Sequence, residues 1–208
     1  MTINPEDLTT GLPAYLTAAD QAAITRGLRD FTRSQRLANF YYPTRDPEPL
    51  QGDVWGRIDV FNFSTGERKR VRALLVSNSC DISSGNERYL SPKVAVATVI
   101  PLGAYQQMLL TNGLSEQRVS DHLKQVRAQA VTHLFYLPDG AAMDGEHVAL
   151  LQDLHSLPTQ AMAEDPPKPR LASLSQCAFY LLLFKLSVHF CRFLEGVDRG
   201  QEGLQPAR

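Results

Sequence analysis

Four cations crowd into the run "RKRVR": Arg68, Lys69, Arg70 and Arg72. A guanidinium stays charged at physiological pH and can hold two phosphate oxygens at once. Such a run beside a turn suits a phosphate backbone. It equally suits solvent, as a hairpin tip with Glu67 alongside. A few residues on, "VRALLVSNSCDISSGN" sets Cys80 next to Asp81, with Ser77 just before them. A thiol nucleophile needs a lowered pKa and a base. The adjacent carboxylate works the other way, and the histidines at 122, 133, 147, 155 and 189 are distant in sequence. A metal centre needs more ligands, and no CxxC, HxxxH or HExxH spacing occurs. The remaining chemistry is local. Ser77, Asn78, Ser79 and Asp81 carry oxygens able to bond backbone groups where an apolar strand turns over. A polar edge for a ligand or partner at Ser77, Cys80 and Asp81 stays open beside that structural reading.

Trp55, Phe61 and Phe63 lie just upstream of the basic run. They could stack on bases or fill a small core. His122 and His133 sit among apolar neighbours and read as surface or hydrogen-bonded core residues. Cys177 and Cys191 fall on one expected helix, about 21 Å apart at 1.5 Å rise per residue, so they cannot pair within it. No Walker A, GxGxxG or GxSxG motif occurs. Nucleotide hydrolysis, dinucleotide binding and hydrolase elbows have no support, and neither a cofactor nor a metal is expected.

These residues must be positioned by a chain of 208 residues, 43% hydrophobic and 21% charged, which is ordinary globular usage. The formal net charge of -1 means that contact with nucleic acid or membrane must come from a local patch. Three cysteines give no disulfide framework and fit a reducing compartment, so a cytoplasmic location is expected. Residues 1–16 lack a basic start and an apolar core and read as a surface arm rather than a signal peptide.

Residues 17–42 read as a helix, capped by Thr17 and striped by Ile24, Leu28 and Phe31. Prolines 43, 47 and 49 then break it into a connector. "DVWGRIDVFNF", "VRALLVSN" and "SPKVAVATVIPL" read as three strands, the first with Val54, Ile58 and Val60 on one face. Residues 115–128 read as a helix with a Val119, Leu123, Val126 stripe. "AVTHLFYLP" and "HVALLQDLHSLP" read as further strands, and "AEDPPKPR" as a proline-rich linker. Residues 171–195 form an apolar helix interrupted by Lys185, His189 and Arg192. Its uninterrupted apolar run "CAFYLLLF" is eight residues, short of the roughly 20 apolar residues that span a bilayer, so packing into the protein or across a homodimer is expected, not membrane insertion.

Three pieces in order, "GDVWGRID", "TGERKRVRALLVSN" and "YLSPKVAVATVIPL", resemble the MazF/PemK family of toxins over residues 52–101. The resemblance implies a small SH3-like β-barrel, a homodimer, and metal-free cleavage of single-stranded RNA at the 2′-hydroxyl. In that family an arginine opens the second strand and stabilises phosphate charge, and Arg72 falls on that position. A hydroxyl residue ends the third strand, and here Ile100 stands in its place. The nearest substitute is Thr98, on the same strand face but displaced by about 6 to 7 Å. Ala73 stands where the family commonly has proline.

The expected architecture is α+β. An SH3-like or MazF-like barrel occupies 50–160 with a helical insertion. It is flanked by the helix and connector at 17–49 and by the linker and long C-terminal helix at 161–208. Two functions compete. One is a toxin–antitoxin or phage-defence protein binding single-stranded RNA, with Arg72 and Thr98 at the phosphate and Arg68, Lys69 and Arg70 steering the strand. The other is a non-catalytic barrel that binds a cognate protein.

Overall fold

The apolar runs fold as neighbouring antiparallel strands, because alternating side chains give each strand two faces to bury. The computed structural model describes residues 39–43, 48–62, 65–83, 92–162 and 168–190. The strands are β1 (Val54–Asn62), β2 (Glu67–Leu75), β3 (Lys93–Pro101), β4 (Leu134–Leu137), β5 (His147–Pro158) and β6 (Arg170–Ala172). The helices are α1 (Ser79–Ile82), α2 (Leu102–Thr111), α3 (Glu116–Arg127) and α4 (Gln176–Phe190), and a 3-10 turn spans Thr159–Met162. The protein is α+β. All six strands lie in one sheet in the order β4-β5-β3-β2-β1-β6, with antiparallel neighbours. The sheet is open, with β4 and β6 as its edges, so the expected barrel closure is not seen.

Three register irregularities interrupt the sheet, one of them at the β1–β6 edge pairing. In β1, Trp55 pairs with Ala73 but Ile58 pairs with Val71, so one extra residue bulges around Arg57, whose φ is 60°. The bulge moves Val54 to a different face from Ile58 and Val60, which corrects the single-face reading of that strand. In β5, Leu154 pairs with Ala97 and Ala149 with Val99, so three extra residues on β5 bend it as it crosses β3.

One face carries Val54, Leu74, Ala97, Val99, Phe135, Leu137, Ala149 and Leu151, covered by Ala178, Leu181 and Leu182 of α4. The opposite face divides. Around β1 and β2, Ile58, Val60, Ala73 and Leu75 pack with Ile82 and Met162. Around β4 and β5, Leu134 and Val148 pack with Leu102, Val119, Leu123 and Val126 of the helical layer. Each fully buried leucine or valine contributes about 1.5–3 kcal/mol.

The expected helix over 17–42 lies outside the described residues up to position 38. Residues 39–42 are extended: Tyr41 bridges Leu174, and Phe40 O accepts from Ser175 N at 2.9 Å. The C-terminal helix starts at Gln176 rather than 171, because Arg170–Ala172 pair with β1. The expected linker at 163–170 falls mostly on residues 163–167, outside the described set, and its last residue, Arg170, opens β6. No helix among the described residues is long and apolar enough to cross a membrane.

Candidate functional site

The basic run lies on β2, and strand register decides where each side chain goes. Arg72 pairs with Val99, and Leu74 with Ala97, on the face covered by α4. Arg68 and Arg70 share that parity, so Arg68, Arg70 and Arg72 form one row. Lys69 points to the other face, paired with Val60. Beyond α4 the row is open: residues 65 to 70 are all exposed. Gly66, at φ 72°, makes the turn that feeds it, donating to Asn62 O at 2.8 Å. The β1 bulge brings Asp59 opposite Arg70 and Phe61 opposite Arg68. Asp59 bonds Arg70 Nε at 3.1 Å, and Phe61 is 44% exposed beside Arg68. Phe63 lies outside the described residues, and Trp55 is partly buried against the Ile58 cluster with Arg170 5.0 Å over its ring.

Thr98 does not join the row. It pairs with Ala73, so it leaves the sheet on the face opposite Arg72. It is 6% exposed, and its hydroxyl has no hydrogen-bond partner among the described residues. Ile100 lies on that same opposite face, against the helical layer. The two residues expected at one phosphate are therefore separated by the sheet itself.

Arg72 instead meets a histidine. His147 opens β5, where it pairs with both Pro101 and Leu137 and shares the face of Leu137 and Ala149. Its ring lies fully buried and reaches across β3 to Arg72. His147 Nδ1 donates to Gly145 O at 2.9 Å, which leaves the Nε2 lone pair to accept from Arg72 Nη1. Burial holds the imidazole below the ordinary histidine range; the Gly145 carbonyl opposes that and the Arg72 charge reinforces it. Asp139 and Asp144, from the loop between β4 and β5, also act on the ring. Tyr41 donates to Pro138 O at 2.7 Å at the base of this loop. Sequence reading considered His147 only as a distant partner for Cys80, and 75 residues separate it from Arg72. Its one local signal was the position after "DGE" at a strand start.

The Ser77–Asp81 stretch forms the strand-end turn. Ser77 Oγ accepts from Ala95 N at 2.7 Å, Ser79 Oγ from Gln51 N at 2.8 Å, and Asn78 Oδ1 from Cys80 N at 3.0 Å, capping α1. The Cys80 thiol is exposed and is not part of a disulfide. Among the described residues no three His, Cys, Asp or Glu side chains cluster as metal ligands.

A second polar centre lies behind the helical layer. Lys185 of α4 is 2% exposed, and its Nζ donates to Gln129 O at 2.5 Å and Val131 O at 2.6 Å. Burial lowers its pKa to about 7. Gln129, itself buried, bonds the backbone of Tyr136 through both ends of its amide, at 2.7 and 3.1 Å. The loop joining α3 to β4 is thus fixed from both sides. The Lys185 and Gln129 side chains are both buried, so their chemistry serves the fold. No family model matches the chain, and no curated protein matches it.

Proposed function

We propose that this chain is a non-catalytic binding module with a MazF/PemK-like curved sheet, and that its ligand is single-stranded RNA. The reading rests on one observation: Arg68, Arg70 and Arg72 share a strand face, and the β1 bulge sets exposed Phe61 beside Arg68. Alternate residues on a strand repeat every 6 to 7 Å or so, giving a linear set of cations with a ring at one end for a base to stack on. Cleavage is not part of the reading, because Thr98 and Arg72 leave opposite faces. The toxin–antitoxin or phage-defence setting follows from the sequence resemblance, and the cytoplasmic location from the cysteine usage.

The test is fluorescence anisotropy with a labelled single-stranded RNA across a salt series. Wild type should bind, with the RNA intact in chelator. The double variant Arg68→Ala, Arg70→Ala should lose about 0.7 per arginine from the slope of log affinity against log salt. Absence of binding at low salt, or an unchanged slope, refutes the reading.

A protein partner is favoured by a different feature. Phe179, Leu183, Leu186 and Phe190 of α4 form a stripe at 4, 3 and 4 residue spacing beside the buried Ala178–Leu182 stripe, and Phe190 is 54% exposed. Docking of a cognate protein or a second copy there would appear as a larger mass in light scattering, lost in Phe190→Ser.

A further inference from the structure

We infer that His147 is a positioning residue that fixes the Arg72 guanidinium at the inner end of the basic row. The inference rests on the RNA-binding reading above. An arginine has five N–H donors. His147 Nε2 takes one of them, at Nη1, and leaves the others available. The histidine is itself immobile. Its ring is buried on the helix-covered face, and Gly145 O fixes its tautomer from the far side at 2.9 Å. Gly145 lies at φ 79°, a conformation that suits glycine, and its carbonyl accepts from the ring two residues on. The arrangement runs from carbonyl to imidazole to guanidinium. It holds a flexible side chain in one geometry, so the entropy of ordering it is spent in folding rather than in binding.

The tautomer makes this contact sensitive to pH. Uptake of a proton places N–H at Nε2, facing the guanidinium, and Arg72 can no longer donate there. The charged groups facing the imidazole are Arg72 from β2 and Asp139 and Asp144 from the β4–β5 loop. The two carboxylates soften the repulsion but cannot restore the lost acceptor. Arg72 is therefore held at neutral pH and released in acid.

The experiment is a double-substitution cycle in RNA binding, measured on the full chain at neutral and mildly acidic pH. At neutral pH, Arg72→Ala should weaken wild type on the order of tenfold, the loss of a charge-assisted contact. In His147→Leu the same change should cost about threefold or less. His147→Gln carries a non-titrating acceptor and should retain the full effect of Arg72→Ala at both pH values, whereas wild type should lose it in acid. Thermal unfolding of each variant identifies any that fail to fold, and His147→Gln then carries the test alone. Equal pH profiles for wild type and His147→Gln, or an undiminished Arg72 effect in a folded His147→Leu, overturn the inference while leaving RNA binding standing. Absence of RNA binding by wild type overturns both. In that case the 15N shifts of the His147 ring still report whether Nδ1 carries the proton.

Discussion

Lys185 gives the sharpest energetic prediction. Its amine donates to two backbone carbonyls inside the helix-covered layer, with no carboxylate bonded to it among the described residues. A neutral amine has two N–H groups for two acceptors; the ammonium adds a third proton and a charge in a buried place. Its folded pKa of about 7 lies below the ordinary 10.5. The unfolded chain therefore binds more protons than the folded one between those values, and stability rises with pH through that window. The full contribution is present above 10.5 and is lost as pH falls to about 7. The slope approaches 1.36 kcal/mol per pH unit, so moving from pH 7 to 9 should add about 2 kcal/mol. The assay is urea unfolding at several pH values for wild type and Lys185→Met. Methionine fills the same volume without titrating. It leaves the Gln129 and Val131 carbonyls without that donor, so the variant should be less stable at pH 9 by about 2–4 kcal/mol. The curve for Lys185→Met should be flatter than wild type across the window. Parallel curves would refute the claim that this buried amine is neutral in the folded protein.

Thr98→Val should raise stability by about 1 kcal/mol, since the hydroxyl is buried without a partner among the described residues, and should leave RNA affinity unchanged; calorimetry and anisotropy check the two halves. Gln129→Leu should cost about 3 kcal/mol in urea unfolding, because it strips both backbone bonds from Tyr136. Arg70→Ala should leave the unfolding temperature nearly unchanged, as its bond to Asp59 is between exposed groups. It should nonetheless lower RNA affinity and the salt slope.

Local patterning carried much of the fold. The Val119, Leu123, Val126 stripe appears as the buried face of α3, capped by Ser115, and Pro138 follows the end of β4. What escaped depends on long-range pairing. Arg170–Ala172 looks like the start of a helix until β1 is present to pair with it. α2 went unread because its apolar residues do not gather on one side and Gly103 sits in its first turn. The site was half legible: Arg72 stands out by charge, but its partner His147 is set by register across three strands. Thr98 was misplaced for a related reason. Strand parity within β3 is readable, but the partner opposite Thr98 is Ala73 rather than Arg72 only once β2 and β3 are aligned.

The strand order has a consequence for how the chain is made. β1 finds one neighbour, β2, within a few residues, but its other edge waits for β6, more than a hundred positions later. Phe40 likewise waits for Ser175. During synthesis, the N-terminal hairpin must therefore exist for a long interval with an unpaired strand edge and an uncovered apolar face. Folding that depends on such distant closures is slow. The basic residues at the hairpin tip and the bulge in β1 are features of the kind that disfavour edge-to-edge pairing with a second chain.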